Sequence, residues 1–165
     1  MSARSTHRIL TALVTAAAVA LLLAPTAGAS APVPIPPNPD VTWPAGTVCP
    51  YPVRVVATAN KSLLHTLRNG QLLITGKLVQ QVTNERTGAS KTFTVNGPLR
   101  VIFHDDGSFT LVSHGRILWT FFAQDAGGPG LFVFTGHVVM EDNSDGFATS
   151  VSRVPKVEDV CAELG

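Results

Sequence analysis

Residues 71–122 limit what this chain can fold into more than any other stretch: QLLITGKLVQQVTNERTGASKTFTVNGPLRVIFHDDGSFTLVSHGRILWTFF. Short runs rich in Val, Ile, Thr, Leu and Phe are cut by NERTG, NGP, DDG and HG. Alternating apolar residues turn one face of each strand towards a core. Gly, Asn and Asp supply the backbone angles of tight turns. The pattern is that of an antiparallel meander.

The flanks extend it. Residues 51–59 (YPVRVVATA) begin the sheet, and Asn60, Lys61 and Ser62 turn it. Residues 62–67 are a short strand or a single helical turn, which periodicity does not decide. Gly76 interrupts the run 71–84 and marks a bulge or sharp bend. Further strands are expected over 91–96, 99–104, 108–114, 116–122, 131–141 and 147–153, with DAGGPG (125–130) and DNSDG (142–146) as later loops. Residues 157–164 (VEDVCAEL) carry apolar side chains at helical spacing and acids near the start, which predicts a short C-terminal helix. About eight strands, joined by turns too short for crossover helices, predict an all-β fold. The preferred architecture is a single antiparallel up-and-down β-barrel, because neighbours pair in order and closure removes exposed edges. A Greek-key β-sandwich is the alternative.

The chain of 165 residues has room for one such domain. Hydrophobic residues at 45% and charged residues at 14% exclude a disordered class. Residues 1–29 have the three zones of a signal peptide: a start carrying Arg4, His7 and Arg8, an apolar run over 9–24, and PTAGA. Cleavage is expected after Ala29, with Ala31 as the near alternative. The run is shorter than the ~20 residues of a membrane-spanning helix, so the expectation is secretion with no integral span left after cleavage. Without Arg4 and Arg8, ten basic residues face eleven acidic ones, and no basic cluster remains to suggest nucleic acid as a partner. Residues 30–47 then form a proline-rich arm, read as a spacer rather than part of the sheet, and residues 48–165 the barrel domain. Cys49 and Cys161, the chain's two cysteines, bracket that domain. In an exported protein they are expected to form a disulfide, worth about 4–5 kcal/mol in the chain-entropy model.

No local motif carries chemistry. There is no GxSxG, HExxH, HxH or CxxC, so no catalytic residue, metal site or cofactor is assigned. His137 lies mid-strand with Glu141 four residues along on the same face; if that face is interior, the two make a polar site beside Phe93, Phe103 and Val133. Asp105 and Asp106 beside His104 are read as a hairpin turn rather than an acid–base cluster. RVIF, ILWTFF and LFVF are apolar on both faces. Ile102, Val112, Phe132 or Phe134 then need cover from the arm, the C-terminal segment or a second copy in a homo-oligomer.

The Ala/Leu-rich start, CPYPV at 49–53, TNERTG at 83–88, PGLF at 129–132 and DVCAEL at 159–164 resemble a group of small exported proteins of high-GC Gram-positive bacteria. The resemblance implies secretion, a β-barrel and the cysteine bridge, and brings no functional residues with it. At the level of architecture the meander is similar to lipocalin-like and allene-oxide-cyclase or dirigent-like barrels, which transfers no activity. The leading expectation is a secreted, non-enzymatic module that binds a small apolar ligand. An extracellular structural or interaction protein acting through an apolar outer face is the alternative, and a barrel-interior cyclase or isomerase using His137 and Glu141 is the third.

Overall fold

At NGP and HG, where the sequence suggests turns, the chain bends without reversing. The computed structural model describes residues 31–36, 40–154 and 156–165, so the signal peptide read in residues 1–29 lies outside the described residues. Among the described residues there are twelve strands: β1 (Val33–Pro34), β2 (Val41–Trp43), β3 (Val53–Asn60), β4 (Leu63–Thr66), β5 (Leu72–Thr75), β6 (Lys77–Asn84), β7 (Ser90–Asn96), β8 (Leu99–Phe103), β9 (Phe109–Phe121), β10 (Gly130–Asp142), β11 (Ala148–Ser152) and β12 (Lys156–Asp159). The helix α1 (Val160–Leu164) follows them.

Strand register shows how they are organised. Asn96 pairs with Arg116 and Leu99 with Ser113, so β7 and β8 run along β9 in one unbroken register. The pairs Ile74–Leu99 and Lys77–Asn96 carry β5 and β6 along the same composite strand. Asn60–Leu78 and Leu63–Thr75 do so for β3 and β4, past a bulge between Ala57 and Ala59. Val139–Ser152 and Thr135–Lys156 do so for β11 and β12 against β10. Counting each of these pairs, and β1 with β2, as one interrupted strand leaves seven long antiparallel strands in up-and-down order. The expected all-β meander and C-terminal helix are therefore present. The sheet itself is not closed: β1/β2 and β11/β12 lie at opposite ends of the pairing order.

The interruptions line up across the sheet. Gly97 and Gly115 have φ of +115° and +134°, which side-chain-bearing residues rarely adopt. A Cβ on Gly97 would lie 1.9 Å from the His114 carbonyl oxygen, and one on Gly115 would lie 2.3 Å from that of Asn96. The two backbones pass this closely because neither carries a side chain. Gly115 pairs in turn with Gly136 of β10, and Gly76 stands between β5 and β6.

Two expectations are corrected. Part of the proline-rich arm joins the sheet, with β2 pairing with β3 and β1 with β4. Val41, Thr42 and Trp43 keep their N–H donors, and Pro34 sits on an edge strand, where proline is tolerated. The predicted helix over 157–164 is shorter: Lys156–Asp159 pairs with β10, and the helix begins only after Asp159, whose side chain accepts from Ala162 N at 3.0 Å.

Two apolar clusters hold the fold. One joins Val53, Val55, Val82, Phe93, Leu131 and Val133 to Val160 and Leu164 of α1. The other joins Leu111, Ile117, Phe121, Phe134, Val138 and Met140. Leu118 pairs with Val133 and contacts the first cluster, whereas Ile117 pairs with Phe134 in the second. Adjacent residues on a strand point to opposite faces, so this half of the β9–β10 ribbon is covered on both sides. The Cys49–Cys161 disulfide spans 112 residues and ties α1 to the start of the domain. Tyr51 Oη donates to Cys161 O at 2.7 Å, and Asn84 Nδ2 to Leu164 O at 2.8 Å, fixing the same helix against β6 and the segment leading into β3.

Candidate functional site

The five residues singled out in the sequence are not brought together. Phe93 and Val133 are buried in the first cluster, while Phe103 is 56% exposed and packs on Phe109. Val138 and Met140 face the second cluster, so His137 and Glu141, which alternate with them, point to the opposite, outward side of β10. Four residues of strand separate His137 and Glu141 by about 13 Å. The His137 ring stacks on His114 with centroids 4.3 Å apart, and burial, then His114 and Arg153, lower its pKa. Glu141 instead accepts from Thr110 Oγ1 at 2.6 Å, and Thr110 also pairs with His104 Nε2 at 2.8 Å. The spacing was legible in the sequence, but the face was not.

The cover needed by the two-sided strands comes largely from the chain itself. Phe134 is buried in the second cluster and Phe132 packs against it, together with Val151 and Val154 from the C-terminal part. Ile102 and Val112 remain half-buried on the outer side. Among the described residues no helix is long and apolar enough to cross a membrane.

A concave region lies where β7 leaves β9. The two strands pair only at Asn96–Arg116; beyond it β9 continues without β7 at its side. Two cavities of about 260 and 420 Å³ lie along this parting, and Gln80, Leu118 and Trp119 line both. The smaller is walled by Ile74, Leu78, Val95, Leu99 and Ile117, with Asn60, Ser62, Thr75, Asn96, Ser113 and Arg116 adding polar groups. The larger is closed by Val41 and Trp43 of β2 and by Val55 and Ala57 of β3. Both tryptophans of the chain thus line the larger cavity, and the shared residues join the two cavities into one groove region. None of the five residues anticipated from the sequence lines it.

Arg116, which lines the smaller cavity, enters a network of charges. Its Nη2 donates to Glu158 Oε2 at 3.1 Å, while Lys91 Nζ donates to Glu158 Oε1 at 2.7 Å and also to Glu163. The Phe93 ring lies beneath both cations, with centroid distances of 5.2 Å for Lys91 and 5.6 Å for Arg116. The Lys91 hydrogen bond holds the Glu158 carboxyl below its usual pKa, and the two glutamates raise that of Lys91. These partners are 67 and 42 residues apart, so no local spacing announces them. The available sign was a lone arginine opening the otherwise apolar ILWTFF run, where a charge needs a partner.

A third cavity of about 270 Å³ lies beneath the glycine-rich loop, lined by Gly127, Phe132, Phe134, Val154 and Val157. Asp125 anchors that loop by accepting from Phe122 N and, at 2.6 Å, from Ala148 N. Nearby Asp142 is buried, with Oδ2 lacking a hydrogen-bond partner among the described residues; burial first, then Asp125 and Glu141, push its pKa up to about 6. No cluster of three or more metal-ligating side chains occurs among the described residues. No protein-family model, curated protein or solved structure matches the chain.

Proposed function

We propose that the protein is a secreted, non-enzymatic binding module that holds a small, largely apolar ligand in the groove between β9 and the β2–β3–β6–β7 part of the sheet. The observation that carries this reading is the pair of adjoining cavities, walled by aliphatic side chains and both tryptophans, with a smaller set of polar groups among them. Such a lining, apolar with sparse polar contacts, is typical of small-molecule sites. Export is supported by the Cys49–Cys161 bond, since disulfides persist in oxidising compartments. In this reading the rolled sheet acts as a barrel-like pouch whose seam is held by α1 and the disulfide rather than by strand pairing.

The test is a titration of tryptophan emission with decanol. Saturable change is expected in the wild type, with loss of binding in Ala57→Phe, which places a ring in the larger cavity. No saturable change in the wild type would contradict the proposal.

A further inference from the structure

We infer that the groove's ligand is an elongated apolar molecule with an oxygen acceptor at one end, an acyl chain ending in a carboxylate or an ester carbonyl, and that Arg116 receives that oxygen. This rests on the groove being a binding site and names the chemistry of its occupant. Among the described residues, Arg116 is the one charged residue lining either cavity, and the other polar residues there are neutral. A single cation among neutral walls is the strongest partner the cavity offers an oxygen acceptor, and so selects the position of a ligand's polar end.

The state of the guanidinium supports the assignment. A guanidinium has five N–H donors and commonly engages a carboxylate through two of them. Here Glu158 divides its oxygens between Lys91 and Arg116, so it gives Arg116 a single bond through Nη2. Arg116 Nε is buried with no partner among the described residues. A buried donor without an acceptor is costly, and a ligand oxygen arriving beside Arg116 removes that cost. The side chain is also held in place before any ligand binds, by Glu158 on one side and the Phe93 ring on the other. The local charge balance accommodates either kind of oxygen. Lys91 and Arg116 are matched by Glu158 and Glu163, so an ester carbonyl docks as a neutral acceptor and a carboxylate docks against a cation with donors to spare.

The experiment compares decanoate, methyl decanoate and decane by tryptophan emission on the full mature chain. The oxygen-bearing ligands are expected to bind roughly ten- to hundredfold more tightly than decane, the range of a hydrogen bond to a charged group. Preference for decanoate over methyl decanoate identifies the free acid as the source of the oxygen, and the reverse identifies the ester. Arg116→Met, which keeps an apolar stem, is expected to narrow the ratio of decanoate to decane to within about threefold. If that variant fails to fold, the wild-type ratio decides alone. Equal affinities for all three ligands overturn the role of Arg116 and leave the groove reading standing. Absence of binding by these ligands and by decanol overturns both.

Discussion

The two halves of the β9–β10 ribbon share one register and have different surroundings. Beyond Gly115 and Gly136, where Ile117 pairs with Phe134 and Leu118 with Val133, each face meets a separate apolar cluster. On the other side of those glycines, Leu111 and Met140 are buried while Thr110, His137 and Glu141 form part of an outward face. The sequence reflects this contrast. ILWTFF and LFVF are continuous apolar runs, as expected of strands covered on both sides, whereas FTLVSH and HVVMED mix polar and apolar residues. What differs between the halves is the company they keep: β8 stays beside β9 over five pairs, and β7 stays for one. The groove exists because of that departure.

The largest expected effect comes from disturbing the bend itself. Gly97→Ala forces a Cβ against the His114 carbonyl in a backbone conformation that alanine disfavours, and is expected to cost about 3 kcal/mol or more in urea unfolding. Gly127→Ala, at a similar positive φ but in open space, is the control and is expected to cost about 1 kcal/mol. Equal effects would mean that the close approach at the bend does not constrain the fold.

The halves are next compared within one strand. Val133→Ala removes two methyl groups from a side chain 1% exposed and is expected to cost about 2–3 kcal/mol. Val139→Ala, on the half-buried outer face of the same strand, is expected to cost under about 1 kcal/mol. Similar losses would place the second half under cover as well.

A third comparison concerns the two ends of the ribbon, which meet through β11. The ribbon's glycine-rich loop returns to β11 through Asp125 and Ala148, beside Asp142. Burial raises the folded pKa of Asp142 to about 6, above the usual aspartate value, so the carboxyl ionises more readily in the unfolded chain. Its contribution to stability is therefore fully present below the ordinary aspartate pKa and is lost as pH rises through about 6. Asp142→Asn is expected to be more stable than the wild type by roughly 1–3 kcal/mol at neutral pH, and to lack this part of the pH slope in thermal melts. An unchanged slope would show that the charge is relieved in solution.

The sequence discloses the meander, the terminal helix and the cysteine bond through local signals: alternation, turn residues, and two cysteines at the ends of a domain. NGP and HG mislead because a glycine with positive φ serves a turn and a bend equally well. Only the shared register of Asn96–Arg116 and Leu99–Ser113 distinguishes them. The groove was illegible for a different reason. Trp43, Ala57, Gln80, Val95 and Trp119 come from five strands, and their meeting depends on β7 parting from β9, which no short motif encodes. His137 and Glu141 were placed on one face correctly by spacing, yet the outward sense of that face follows from Val138 and Met140 facing the core.

The central claim is that the groove, and not the polar outer face, holds the ligand. Proton–nitrogen correlation spectra of the protein with and without saturating decanoate test it most directly. The indole resonances of Trp43 and Trp119 are expected to shift while the imidazoles of His65, His104, His114 and His137 stay in place. Shifts at the histidines with both indoles unmoved would contradict it.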